Sequence, residues 1–203
     1  MARELPAPLT DLAAQLGKLP SMGPKSAMRV VMALLSWPED RTRHLGQSIA
    51  ELRDRLCLCH LCGGLSTASP CPICADPTRS QEELCLVADW DSMLTLDAGG
   101  FYRGQYLILG GLLNPLEGGS APDLSRLEKR LAEGRVRELI LALGATVEAD
   151  NTASVILELV RRRFPGVTVT RLAQGIPLGG EVRHMDVETL RQSLRYRQSY
   201  ERE

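Results

Sequence analysis

The residues best suited to chemistry in this 203-residue chain are its cysteines, of which there are 6. Four of them form two knuckles, Cys59-x-x-Cys62 and Cys71-x-x-Cys74, separated by only a short spacer. Zinc in a structural role takes four thiolates in a closed tetrahedron, and two such knuckles supply them. The spacing therefore predicts one structural Zn2+ per chain, held by Cys59, Cys62, Cys71 and Cys74. A closed set leaves no open coordination position, which argues against catalysis at the metal. Gly63-Gly64 and Ser69-Pro70 are turn formers suited to the tight bends that knuckles need. Two competing readings are a redox Cys-x-x-Cys pair and a ligand set drawing on Cys57 or His60. Cys57 reads as a spare thiol, His60 as a surface imidazole, and Cys85 as a small buried hydrophobe in a strand.

A second candidate is the segment Leu19-Pro-Ser-Met-Gly-Pro-Lys-Ser-Ala27, lying between two helical patterns. It reads as a helix-hairpin-helix, in which hairpin amides and the start of the second helix meet a phosphate backbone. Lys25 and Arg29 are four residues apart, hence one turn apart on one helical face. Together with Gly23 and Lys18 they form a candidate DNA-backbone clamp without base readout. Gly23-Pro24-Lys25-Ser26 superficially resembles the end of a nucleotide-binding P-loop, but Gly17 is one residue too far upstream and Pro24 lacks a needed N–H. The plainer reading is two helices joined by a turn. Ser21 stands where such hairpins usually carry a second glycine.

These groups need a scaffold. The chain is 44% hydrophobic, enough for one sizeable core plus small appendages. Its formal net charge of -1 gives no global attraction to nucleic acid, so any such contact must be local. Aromatics make up 4%, which disfavours a surface of stacking platforms. No apolar run suits a signal peptide or a membrane span, so a cytoplasmic protein with no membrane partner is expected.

Apolar residues at Leu9, Leu12, Ala13, Leu16 and Leu19 predict a first helix with Thr10 or Asp11 as N-cap. A second helix starts near Lys25 or Ser26 and buries Ala27, Val30, Val31, Leu34 and Leu35, ending at Trp37-Pro38. A third runs from Asp40 to Leu56. From about residue 78, short apolar runs alternate with helical periods, the signature of an α/β unit with a mainly parallel sheet. Strands are expected at Leu84–Ala88, Tyr106–Leu109, Glu138–Leu143 and Val167–Leu172. Helices are expected at Asp91–Ala98, Asp123–Glu133 and Thr152–Phe164, with loops at Gly110–Pro122 and Gly175–Gly180. One more short element is expected in the last twenty residues.

The order of parts resembles the bacterial RecR recombination-mediator family. The resemblance rests on the hairpin, on the cysteine module ending Cys71-Pro-Ile-Cys-Ala-Asp-Pro-Thr-Arg79, and on Leu84-Cys-Leu-Val87. It also rests on Gly111-Leu-Leu-Asn-Pro-Leu-Glu-Gly118, Ala145-Thr-Val-Glu-Ala-Asp-Asn-Thr-Ala153 and Gln174-Gly-Ile-Pro-Leu-Gly-Gly-Glu181. It implies a helical hairpin domain over 1–54, a four-cysteine zinc finger over 55–77, a Toprim domain over 78–173 and a C-terminal oligomerisation segment over 174–203. It further implies a ring-like homo-oligomer, dimer or tetramer, that binds gapped DNA and acts with RecO, and in some bacteria RecF, to load RecA.

One position departs from the Toprim pattern: the acid expected after Leu-Cys-Leu-Val is Ala88, followed by Asp89. The second acidic cluster is present as Glu148 and Asp150. The rival reading, a Toprim nuclease or primase, needs carboxylate-held magnesium, and Ala88 cannot supply its share. Asp89 is its neighbour, and adjacent strand residues point to opposite faces, so it is not expected to substitute. Glu148 and Asp150 then read either as helix-start carboxylates at Thr152 or as part of a surface for RecO. A third reading is a zinc-ribbon adaptor that never touches DNA. The C-terminal tail packs either on its own domain or on a neighbour, because periodicity does not separate the two.

Overall fold

The computed structural model describes residues 5–113 and 123–197. Most of the predicted Gly110–Pro122 loop, and the end of the Gly111–Gly118 motif, lie outside the described residues. Two compact units emerge, Met1–Arg55 and Leu56–Glu203.

The first unit holds α1 (Ala7–Leu16), α2 (Pro24–Ser36) and α3 (Glu39–Glu51). Its small core is Ala13, Ala27 and Val31, flanked by Leu9, Leu16, Met22 and Met28. Helix α1 begins earlier than the expected Thr10 or Asp11 cap. Pro8 fits its first turn, where a missing N–H is harmless, and the Thr10 hydroxyl donates to the Ala7 carbonyl inside the helix. Helix α2 likewise starts at Pro24 rather than at Lys25 or Ser26, with Gly23 as N-cap. Its expected stripe is only half realised, because Leu35 is exposed. Helix α3 stops at Glu51, short of Leu56, and none of its residues is buried.

The second unit is built on a four-stranded parallel sheet in the order β4-β3-β5-β6, with β3 at Glu83–Val87, β4 at Gln105–Ile108, β5 at Glu138–Ala142 and β6 at Thr168–Arg171. Each expected strand is found within a residue or two of its predicted limits. The near-continuous apolar runs of β3 and β4 follow from burial on both faces. On one face Leu84, Leu86, Leu107, Leu139 and Leu141 pack with Leu127 and Leu131 of α6 (Ser125–Ala132) and Ile156 and Val160 of α7 (Val147–Arg163). On the other, Cys85, Val87, Tyr106 and Ile108 pack with Met93 of α5 (Trp90–Ala98).

Helix α7 starts a turn and more before the expected Thr152, because the Thr146 side chain accepts the Ala149 N–H and caps it there. Thr152 is instead fully buried, donating to the Glu148 carbonyl at 2.7 Å and accepting the Leu113 N–H at 2.8 Å. The cysteine-rich segment adds two short elements, the antiparallel pair β1 (Cys57–Leu58) with β2 (Leu65–Ser66), and α4 (Pro72–Ala75). After β6 come a 3-10 turn at Val182–His184 and α8 (Val187–Arg195), capped by Asp186 through the Thr189 N–H at 2.9 Å.

Candidate metal centre and nucleic-acid interface

The sulfurs of Cys59, Cys62, Cys71 and Cys74 all lie within 4.8 Å of one another. The first three residues are buried, with Cys74 half-buried. A Zn–S bond of about 2.3 Å implies a tetrahedral S···S edge of roughly 3.8 Å. The Cys62 and Cys71 sulfurs are 3.7 Å apart. That is far beyond the ~2.05 Å of a disulfide and matches a shared ion. Backbone N–H groups point at the sulfurs: Gly64 at Cys62 (3.3 Å), Cys71 at Cys59 (3.4 Å) and Cys74 at Cys71 (3.5 Å). Such donors favour thiolates. Without a cation the sulfurs compete for protons: a Cys74 hydrogen bond pulls Cys62 down, burial pushes Cys71 up, and the bond to Cys62 pushes Cys74 up. A dication resolves that competition by taking all four as thiolates, so the cage fits one structural zinc.

The alternative ligands point elsewhere. Both the amide and Nδ1 of His60 engage the Ser69 hydroxyl, at 3.0 and 2.8 Å, which ties the two knuckle loops together. Cys57 is exposed in β1, and Cys85 is buried in β3, its thiol pushed up to about 11 by burial. The first knuckle turns through Gly63 at φ 78°, in the left-handed region. It joins the sheet where the Ile108 N–H donates to the Cys62 carbonyl at 2.8 Å. Beyond the second knuckle, Arg79 is largely buried and bonds Asp97 at 2.5 Å and the Gly104 carbonyl at 3.2 Å. No sequence signal pointed to that anchor, since Arg79 and Asp97 lie 18 residues apart and share no element.

In the first unit, Gly23 and the exposed side chains of Lys25 and Arg29 stand at the start of α2, and Lys18, also exposed, lies just after α1. The Lys25 and Ser26 amides precede the first α2 bond, from the Ala27 N–H to the Gly23 carbonyl at 3.0 Å. No side chain caps this end and its first turn carries no acidic residue. Ser21 does what a glycine would, at φ 63°.

At the carboxyl ends of the strands, Ala88, Asp89, Trp90, Gly110, Leu112 and Glu148 are among the residues around a depression of about 600 Å³. Strand alternation predicts Asp89 on the opposite face from Ala88; in fact β3 ends at Val87 and Asp89 is the N-cap of α5, accepting the Ser92 N–H at 2.7 Å. That bond holds its carboxyl below the usual range. Glu148 and Asp150 lie in the first turn of α7, where they complement the helix dipole. Asp150 also pairs with Arg171 at 3.1 Å, both exposed.

A parallel sheet flanked by helices, a four-cysteine metal cage and a helical hairpin define a zinc-containing Toprim protein with a helix-hairpin-helix module. Family profiles agree: the RecR helix-hairpin-helix profile matches residues 9–53, the RecR four-cysteine zinc finger profile 56–76, the Toprim domain profile 82–173 and the RecR C-terminal profile 175–198. The chain is 60% identical over 198 residues to the Recombination protein RecR of Nitratidesulfovibrio vulgaris, covering 97% of this chain and 98% of that one. It is 52% identical to the protein of that name from Maridesulfovibrio salexigens, covering 96% and 98%. With that of Rhodospirillum rubrum it shares 44% identity, covering 90% and 92%. The chain belongs to the RecR family of recombination proteins.

Proposed function

We propose that this protein is a non-enzymatic recombination mediator that grips the DNA backbone without reading sequence and acts with RecO, and in some settings RecF, to load RecA at single-stranded gaps. The observation that carries the DNA-binding part is the start of α2, where free amides, Lys25 and Arg29 share one end of a helix with no acid in its first turn. A Cβ at Gly23 would meet nothing within 4 Å, so the glycine is not needed for packing inside the chain. It leaves the backbone open to a phosphate. Lys18, exposed just after α1, is retained as a further candidate phosphate contact. This favours a mediator over a zinc-ribbon adaptor that ignores DNA.

Ala88 and the capping role of Asp89 weigh against a Toprim nuclease or primase, since among the described residues lining that depression Glu148 is the one carboxylate besides the capping Asp89. Glu148 and Asp150 are retained as a candidate RecO contact. The division of labour follows residues 1–54 for the hairpin, 55–77 for zinc, 78–173 for the Toprim core and 174–203 for assembly. Among the described residues no helix is long and apolar enough to cross a membrane, and the site of action is the cytoplasm, where the DNA is.

The working form is a homo-oligomer, a dimer or a tetrameric ring. One hairpin offers few phosphate contacts, and linked hairpins gain from effective concentration. Helix α8 buries none of its residues, and Leu178, Val182, Val187, Leu194 and Tyr196 are exposed, as are Met32, Leu35, Ile49 and Leu52 in the first unit. Pull-down with the host RecO, with and without gapped DNA, tests the mediator reading, and light scattering with and without residues 181–203 tests assembly. Failure to recruit RecO under either condition, or a monodisperse monomer that still binds gapped DNA tightly, overturns the corresponding part.

A further inference from the structure

A zinc ion with four thiolates carries a net charge of two minus, and here it sits in a largely buried cage. The three backbone N–H donors ease that charge but bring no countercharge. Arg126, on α6, is half-buried, and among the described residues it makes no ion pair. Its guanidinium lies directly against the first knuckle: a Cβ built on Gly63 would meet Arg126 Nη1 at 2.6 Å and Cζ at 3.3 Å, with the Ile108 carbonyl oxygen at 3.4 Å. Gly63 follows Cys62 in sequence, and the next amide, Gly64, donates to the Cys62 sulfur. Among the described residues Asp123 is a carboxylate that feels Arg126, and it is held low first by the Ser125 side chain and amide, with Arg126 last among the causes.

We propose that Arg126 is the countercharge of the zinc–tetrathiolate centre, a positioning residue that stabilises the metal-loaded knuckle from the Toprim side. Gly63 is then fixed for two reasons: its φ of 78° disfavours a side chain, and a methyl group would displace the guanidinium. Partial burial makes the attraction larger than between exposed charges, because solvent screens it less. Groups outside the ligand shell typically change metal affinity by about 10–100-fold when removed.

The test is zinc competition on the full-length protein against a chromogenic chelator, comparing Arg126→Gln, Arg126→Lys and wild type at low and high salt. Gln keeps much of the side-chain reach but no charge; Lys keeps the charge but not the planar fork. The expected result is about a tenfold weakening for R126Q at low salt, narrowing as salt rises, with R126K recovering most of the loss. Circular dichroism of the loaded proteins checks that all three are folded. Zinc affinity of R126Q within about twofold of wild type, well short of the usual effect of such groups, or equal losses in R126K and R126Q, would mean that Arg126 merely packs on Gly63 and would overturn the proposal.

Discussion

The Cys62 carbonyl accepts the Ile108 N–H at 2.8 Å, so the first zinc knuckle closes onto the last residue of β4. Strand β4 is an edge strand, bonded to β3 on one side only. An uncovered edge invites pairing with other chains, and here the knuckle occupies part of it. Ile73 of α4 belongs to the same junction, packing against both the cysteine cluster and the β4 face. Metal site and sheet are thus one folded object within this unit.

Cys71→Ser is expected to lose zinc and solubility. Structural zinc sites have apparent binding energies of about 10–16 kcal/mol, much of it linked to folding, so several kcal/mol of stability should go with the ion. Metal analysis of the purified variant checks this; a full zinc equivalent would refute the ligand assignment.

Asp97→Ala should destabilise the second unit by roughly 3 kcal/mol, because it leaves the largely buried Arg79 guanidinium without its 2.5 Å partner. Asp76 lies 3.7 Å from Arg79 Nε and compensates only in part. Denaturant unfolding of the zinc-loaded protein reads the change, and a loss under about 0.5 kcal/mol, ordinary for a surface substitution, would contradict it.

The sheet was legible because doubly buried parallel strands are apolar throughout, and the zinc cage because thiolate spacing is so restrictive. Helix starts were less so. Pro8 and Pro24 both sit in first turns, ahead of the starts expected at Thr10 or Asp11 and at Lys25 or Ser26, and Thr146 caps a helix expected to begin only at Thr152. Leu35 belongs to a good helical stripe that the single chain leaves exposed, since periodicity reports an apolar face and not what covers it. Asp89 was misplaced for a local reason: β3 ends one residue early and a cap follows. The Arg79 and Arg126 contacts join residues far apart in sequence, and no spacing rule reveals such pairs.

Ser21→Gly should stabilise the hairpin. A non-glycine residue at φ 63° costs about 1–2 kcal/mol, against the roughly 0.4–1 kcal/mol that glycine adds to the unfolded chain's entropy. The net gain expected is of order 1 kcal/mol by the same balance, read as a raised thermal midpoint. A lowered midpoint would show that the Ser21 side chain matters more than its backbone.

Purified protein should neither cut nor synthesise nucleic acid with magnesium or manganese, and Ala88→Glu is expected to add ion binding without activity. Calorimetric titration and a nuclease assay read the two separately. Metal-dependent cleavage that co-purifies with the protein and disappears in Glu148→Ala would reverse the choice of class.

The central claim is that the start of α2 holds DNA by its phosphates. It is tested most directly by measuring affinity for several unrelated gapped DNAs across a salt series, for wild type and for the Lys25→Ala, Arg29→Ala double variant. Two lost contacts per chain should weaken binding for every sequence alike and reduce the log-log salt slope by roughly 0.7–0.9 per contact. Unchanged affinity and unchanged slope in the double variant would contradict the account and leave the hairpin a purely structural turn.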